Sequence, residues 1–308
     1  MSETPTSGAH SETRCGFVAL VGAPNAGKST LLNRLIGTKV AIVTHKVQTT
    51  RSRVRGIAIQ GASQIVFVDT PGIFTPRRRL DRAMVAAAWA AIEDADEVVL
   101  LVDAAHERID ADTRLILEGL KQRGRQVLLA LNKIDTVKRP SLLARAATFE
   151  AEGVIARTFM ISALKGDGVT DLSDHLAGAM PPGPWHYPED EVSDMPLRQV
   201  AAEVTREKLF LRLHQELPYA LTVEAEDWED FEDGSVRIAQ TVTVGRESHK
   251  AICLGKRGAT IKAVREAAQR ELEALLERRV HLFLNVRVRA NWAEDAAHYR
   301  AWGLDYSA

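Results

Sequence analysis

The octapeptide Gly22-Ala-Pro-Asn-Ala-Gly27-Lys28-Ser29 follows an apolar run, Phe17 to Val21, and precedes residues with helical spacing. Such a segment leaves the chain little freedom. A strand must deliver it to a glycine-rich turn whose backbone N–H groups converge on phosphate oxygens, and a helix must begin there with its positive end facing them. In the pattern G-x-x-x-x-G-K-[ST] the lysine reaches the β- and γ-phosphates and the hydroxyl offers an oxygen to Mg²⁺. Chance produces this pattern in about one chain of this length in a hundred, so further motifs must decide.

Three follow in order, each after an apolar run: Asp69-Thr70-Pro71-Gly72, Asn132-Lys133-Ile134-Asp135 and Ser162-Ala163-Leu164-Lys165. The expected phosphate cradle is Gly22, Ala23, Pro24, Asn25, Ala26, Gly27, Lys28, Ser29 and Thr30. Ser29 and Asp69 are the expected Mg²⁺ oxygens, with Thr70, Pro71 and Gly72 continuing the γ-phosphate loop. Asp135 only accepts hydrogen bonds, so it suits guanine, which presents N1–H and a 2-amino group where adenine presents no donor in that geometry. Sites of this kind discriminate by about 10⁴ or more. Asn132 is expected to hold the loop and base N7, the Lys133 stem to pack on the ring, and the backbone at Ser162 and Ala163, with Leu164 beside it, to donate to O6. The implied ligands are GTP and GDP.

Strands and helices alternate from Gly16 to about Met180. Val54 to Gln60, Ile65 to Val68, Val98 to Val102, Val127 to Leu131 and Ile155 to Ile161 read as strands, Leu80 to Glu93 and Asp112 to Arg123 as helices. The pattern predicts an α/β fold, a mostly parallel sheet with helices on both faces and ligands beyond the carboxyl ends of the strands. The first 14 residues read as a disordered tail, 15–180 as the nucleotide domain and the Pro-rich 181–195 as a linker. At 308 residues, 45% of them hydrophobic and 26% charged, the chain has material for a second domain at 196–308. Two cysteines, Cys15 and Cys253, are too few for a disulfide framework, which points to a reducing cytosol.

The second domain reads helix, strand, strand, helix, helix, strand: a helix over Ala201 to Leu217, strands over Ala220 to Ala225 and Val236 to Val244, and then the apolar half-turn around Ile252 before Gly255-Lys256-Arg257-Gly258. A G-x-x-G loop opening a helix, with Ile261 and Lys262 beyond it, is the arrangement of an α+β KH domain of type II, which clamps about four single-stranded nucleotides. From Gly245 through Arg289 there are eleven Lys or Arg against five Asp or Glu, while Glu224 to Asp233 holds seven acids and no base, so the net charge of -1 is a cancellation. The basic stretch would attract RNA phosphates. The acidic one reads as an exposed loop between strands. Trp292, Tyr299 and Trp302 are expected to pack on the domain core in preference to stacking on bases.

With the pieces Gln48-Thr49-Thr50-Arg51 and Glu216-Leu-Pro-Tyr219 added to those motifs, the chain resembles the Era family of bacterial GTPases with a C-terminal KH domain, over nearly all of Cys15 to Tyr306. The resemblance implies binding near the 3′ end of small-subunit ribosomal RNA, a part in maturation of the 30S particle, action in the cytoplasm as a monomer, and in some members peripheral contact with the inner face of the cell membrane. It also implies that Thr50, or the adjacent Thr49, meets Mg²⁺ and the γ-phosphate.

Ile73 stands where Ras-like proteins carry the glutamine that orients water. Hydrolysis is therefore expected to be slow, with Mg²⁺ and Lys28 supplying electrostatic stabilisation, Thr50 joining them as a catalytic residue by resemblance, and something else completing the site. By resemblance Asn25 helps to hold a K⁺ ion that adds positive charge. Arg77-Arg78-Arg79 reads as a solvated basic turn. Two rival functions remain open on the sequence: a membrane-surface or protein-binding switch with a KH-like interaction module, and a GTP-dependent RNA-modifying enzyme, for which no nucleophile is in evidence.

Overall fold

The structure, a computed structural model, describes residues 13–44, 46, 50, 54–214 and 217–308. Residues 1–12, Gln48, Thr49, Arg51 and Glu216 therefore lie outside the described residues. The first body is a six-stranded sheet in the order β2-β3-β1-β4-β5-β6, formed by β1 (Arg14–Gly22), β2 (Val54–Gln60), β3 (Ser63–Asp69), β4 (Glu97–Asp103), β5 (Val127–Asn132) and β6 (Ile155–Met160). Only β2 is antiparallel to its neighbour. Strand β1 begins at Arg14, which the sequence pattern assigns to the tail; Arg14 pairs with Ser63 and donates to the carbonyls of Gly178 and Met180.

The near-continuous apolar runs arise because both faces are covered. Val18 and Leu20 point to one core with α1 (Lys28–Ile36) and α5 (Val169–Ala179). Ala19 and Val21 point to the other, under α2 (Arg79–Asp94), α3 (Ala111–Arg123) and α4 (Arg139–Glu150). The chain turns from β1 to either side of the sheet, and the strand ends there open the crevice where such sheets bind ligands.

Residues 181–196 are irregular, as the prolines predict, but tied down along the β2 edge. Ile57 N–H donates to Val192 O at 2.9 Å, and Ser193 Oγ to Arg55 O at 2.7 Å. The buried Gln64 accepts the His186 and Tyr187 amides on Oε1 and donates Nε2 to Tyr187 O.

The second body runs α6 (Leu197–Arg212), β7 (Leu221–Asp230), β8 (Val236–Val244), α7 (Glu247–Leu254), α8 (Ala259–Leu276), β9 (Val280–Val288), with the sheet in order β7-β8-β9 and β8 parallel to β9. Helix α6 ends at Arg212, five residues before the expected Leu217. Leu213 turns extended, and the Lys46 ammonium takes the carbonyls of Phe210 and Leu213 at that helix end. Leu213 and Leu217 remain buried in the core, so their spacing reported burial, not helix.

The acidic stretch is mostly strand, not loop: β7 reaches Asp230, and the turn to β8 begins only at Phe231. Charges are tolerated on this outer strand because several are paired across it, Asp227 with Arg237 at 2.6 Å and Asp230 with Arg278 at 2.7 Å.

Among the described residues the two bodies meet at two places. Glu207 of α6, almost fully buried, accepts Val43 N–H and pairs with Lys39 and Lys208. At the other place, α9 (Ala296–Ala301) and the end of the chain lay Tyr299 and Leu304 against Leu80, Ala83, Met84 and Ala87 of α2. Trp292 and Tyr299 are thus buried and closed to bases, as expected, but the surface that Tyr299 covers belongs to the first body.

Candidate nucleotide site and nucleic-acid interface

A cavity of about 440 Å³ lies at the carboxyl ends of the strands of the first sheet. Its walls include Pro24, Asn25, Gly27, Lys28, Ser29, Thr30, Thr50, Gly72, Asn132, Lys133, Asp135, Ala163 and Leu164. The motifs, distant in sequence, therefore share one space. Gly22, Ala23, Ala26, Asp69, Thr70, Pro71 and Ser162 do not line it and stand behind these walls.

Gly27 has φ 102°, and a Cβ there would collide with the Asn132 amide, so only glycine fits. Asn132 is 2% exposed and ties the loops together: Nδ2 donates to Ala26 O at 2.8 Å, while Oδ1 accepts Lys133 N–H and Ala163 N–H. It holds the loop as expected and has one Nδ2 hydrogen left for a base. Ser162 N–H donates to Asp167 O and Ala163 N–H to Asn132, so the two amides expected to meet O6 are spent inside the protein. Leu164 N–H has no partner among the described residues. Asp135, exposed at the cavity, has one oxygen fixed by Ser162 Oγ at 2.6 Å.

Lys28 is buried, and its ammonium donates to the carbonyls of Gly22 and Ala23 at 3.1 and 3.0 Å. Burial pushes its pKa down to about 8, opposed by the Asp69 charge. Burial pushes the Asp69 carboxyl up, against the pull of Lys28, Ser29 and Thr50. Asp69 Oδ2 accepts Ser29 Oγ at 2.6 Å and Thr50 Oγ1 at 3.1 Å, and these hydroxyls are 3.1 Å apart. Asp69 Oδ1 is buried without a hydrogen-bond partner among the described residues. An orphaned carboxylate oxygen beside two converging hydroxyls is a hard-oxygen set that fits Mg²⁺. Thr49 lies outside the described residues; Thr50 is in place.

Thr70 spends its hydroxyl on Leu20 O, which makes it a strut under the loop, and Ile73 N–H donates to Gly22 O. Ile73 is fully buried among α2 and α3 residues and cannot position water. Asn25 lines the cavity at φ 65° with its side chain exposed. Sequence patterns missed two residues. Arg34 clamps the carbonyls of Ala163 and Leu164, and Asp103 pairs with Lys133 at 2.7 Å. Neither falls in a motif, and only tertiary structure brings them to the site.

At the second candidate site Gly255 has φ 70°, and a Cβ there would strike Thr260 Oγ1. Arg257 is also left-handed, at φ 52°. The loop to Gly258 thus projects Lys256 and Arg257 into solvent beside Ile252, which is 55% exposed, while Ile261 is half-buried against Cys253 and Val264. Lys262 is exposed on the next turn.

Known proteins align with both sites. A family model described as a 50S ribosome-binding GTPase matches residues 17–133, and a KH-domain model matches 216–293. GTPase Era of Rhizobium meliloti is 59% identical over 294 residues, 96% of this chain and 94% of that protein. GTPase Era of Dinoroseobacter shibae is 60% identical over 297 residues, 96% of each. A crystal structure of Era in complex with MgGDPNP and nucleotides 1506–1542 of 16S ribosomal RNA superposes with TM-score 0.88 at 35% identity, covering 94% of this chain and 99% of that one.

Proposed function

Since the chain belongs to the Era GTPase family, a GTP hydrolase with an N-terminal GTPase domain and a C-terminal KH domain, we propose that it binds single-stranded RNA at the 3′ end of small-subunit ribosomal RNA and serves assembly of the 30S particle. Hydrolysis is slow until something completes the site. The chain acts in the cytoplasm as a monomer, touching the inner face of the cell membrane only peripherally.

The observation that carries the RNA assignment is the loop at Gly255, which presents Lys256 and Arg257 to solvent next to an exposed Ile252. Basic groups for phosphates beside an apolar surface for bases suit a single strand. A relative bound to a 16S fragment supports the choice of RNA. Among the described residues the rival role as a membrane or protein switch has no comparable feature.

On the nucleotide side, Lys28 meets the β- and γ-phosphates, Asp135 takes the guanine donors, and Leu164 N–H is available to O6. Ser29, Thr50 and Asp69 hold Mg²⁺, which when bound neutralises charge on the phosphates. Burial of Ile73 underlies slow turnover. Asn25 holds K⁺, the added positive charge, a role supported by its exposed side chain at the cavity.

Filter binding tests the assignment: RNA of the 16S 3′-terminal sequence should bind more tightly than a scrambled strand, with affinity falling as salt rises. Equal binding of both strands would remove the rRNA assignment.

A further inference from the structure

Lys133 is left-handed at φ 65°, which turns its side chain from the end of β5 onto the cavity wall. Its ammonium stands 2.7 Å from Asp103 Oδ2. Asp103 ends β4 in register with Asn132, and its second oxygen accepts Ala105 N–H at 2.8 Å. Both oxygens are thus fixed, and the side chain is only 16% exposed. Asp103 does not itself line the cavity.

We infer that Asp103 is a positioning residue for guanine recognition, acting through Lys133. A lysine stem has large rotamer freedom, and a stem that must be ordered by the base takes that entropy out of binding. With its ammonium tied to Asp103, the stem stands ready as an apolar wall for the ring. This rests on the guanine-nucleotide reading of the cavity. The contact is to the base side, so it serves GTP and GDP alike and leaves the phosphate chemistry untouched.

The test is a double-mutant cycle read by nucleotide dissociation and by steady-state hydrolysis on the full chain. Asp103→Asn should raise Kd for GDP and for a non-hydrolysable GTP analogue equally, by about 3- to 5-fold, through faster release. KM should rise with kcat at saturating GTP held, and Asp103→Glu should recover part of the loss. Lys133→Met keeps an apolar stem without the tether and should weaken binding similarly; in its background Asp103→Asn should add nothing. Unchanged affinity of Lys133→Met, an undiminished effect of Asp103→Asn in that background, or a fall in kcat without a rise in KM would each overturn the inference. If Asp103→Asn fails to fold, the Lys133→Met arm still decides. A wild-type chain that binds ADP as well as GDP would instead refute the guanine reading itself.

Discussion

Glu207 accepts the Val43 N–H at 2.8 Å, a hydrogen bond that joins the stretch before Thr50 to α6, the first helix of the second body. Burial would raise this carboxyl, but Lys208, Lys39 and the Val43 amide hold it below the usual carboxylate range. The stretch that precedes the candidate Mg²⁺ residue Thr50 and the second body therefore share a charged joint. The joint should couple RNA binding to nucleotide state: a GTP analogue and GDP should give RNA affinities differing by about 5- to 150-fold, with the reciprocal effect on nucleotide. Glu207→Ala should lower stability by about 1–3 kcal/mol and bring the affinity ratio toward one. A ratio unchanged in a folded Glu207→Ala would detach coupling from this joint.

In the proposed site Asp135 decides the base. Asp135→Asn should weaken GTP binding and improve xanthosine triphosphate binding, because an amide can donate where the carboxylate only accepted. Competition between the two nucleotides reads the outcome, and retained GTP preference would contradict the assignment.

Lys28 gives the pH dependence a definite sign. Its ammonium is pushed down to about 8 in the nucleotide-free protein, and a polyphosphate beside it raises the pKa again. Binding then takes up a proton above that pH. GDP affinity should fall as pH rises from about 7 to 9, and Lys28→Arg, charged throughout, should flatten the slope while Lys28→Ala abolishes binding in a folded protein. A flat profile for the unmutated chain would contradict a desolvated lysine.

Potassium should replace what Ile73 cannot supply. Hydrolysis in KCl should exceed that in NaCl at equal ionic strength, and Asn25→Ala should erase the difference. Equal rates in both salts would exclude the ion as activator.

The proposed RNA loop lies in the second body and the nucleotide cavity in the first, so either can be altered by itself. Replacing Lys256 and Arg257 by Asp should abolish RNA binding through lost phosphate contacts, with nucleotide affinity in the absence of RNA preserved. Normal RNA binding by that variant would place the clamp elsewhere.

Much of this was legible because strand–loop–helix motifs fix backbone geometry locally. Gly27 and Gly255 could be singled out from spacing alone, since both need positive φ, Gly27 where α1 opens and Gly255 where α7 ends. The end of α6 was not legible: Leu213 and Leu217 keep the helical period, and the group that takes the last carbonyls is Lys46, 164 residues away from Phe210 in sequence. The acidic strand β7 misled for a similar reason, its charges being answered by Arg237 and Arg278 on other segments. Asp103 and Arg34 follow the same rule, because a residue that acts through a partner leaves no local signature.

The strap formed by residues 181–196 makes the first domain longer than its sheet. A fragment cut after Met180 would leave Ile57 N–H open on an outer strand and strip the buried Gln64 of the His186 and Tyr187 groups it bonds, each lost partner costing about 1–3 kcal/mol. Its bare β2 would also offer a template for pairing with a second copy. The segment between the domains is thus the last outer layer of the first one, and the smallest piece that folds cleanly and stays apart from its neighbours should extend to Asp194, whose carboxylate meets Arg55 at 2.9 Å.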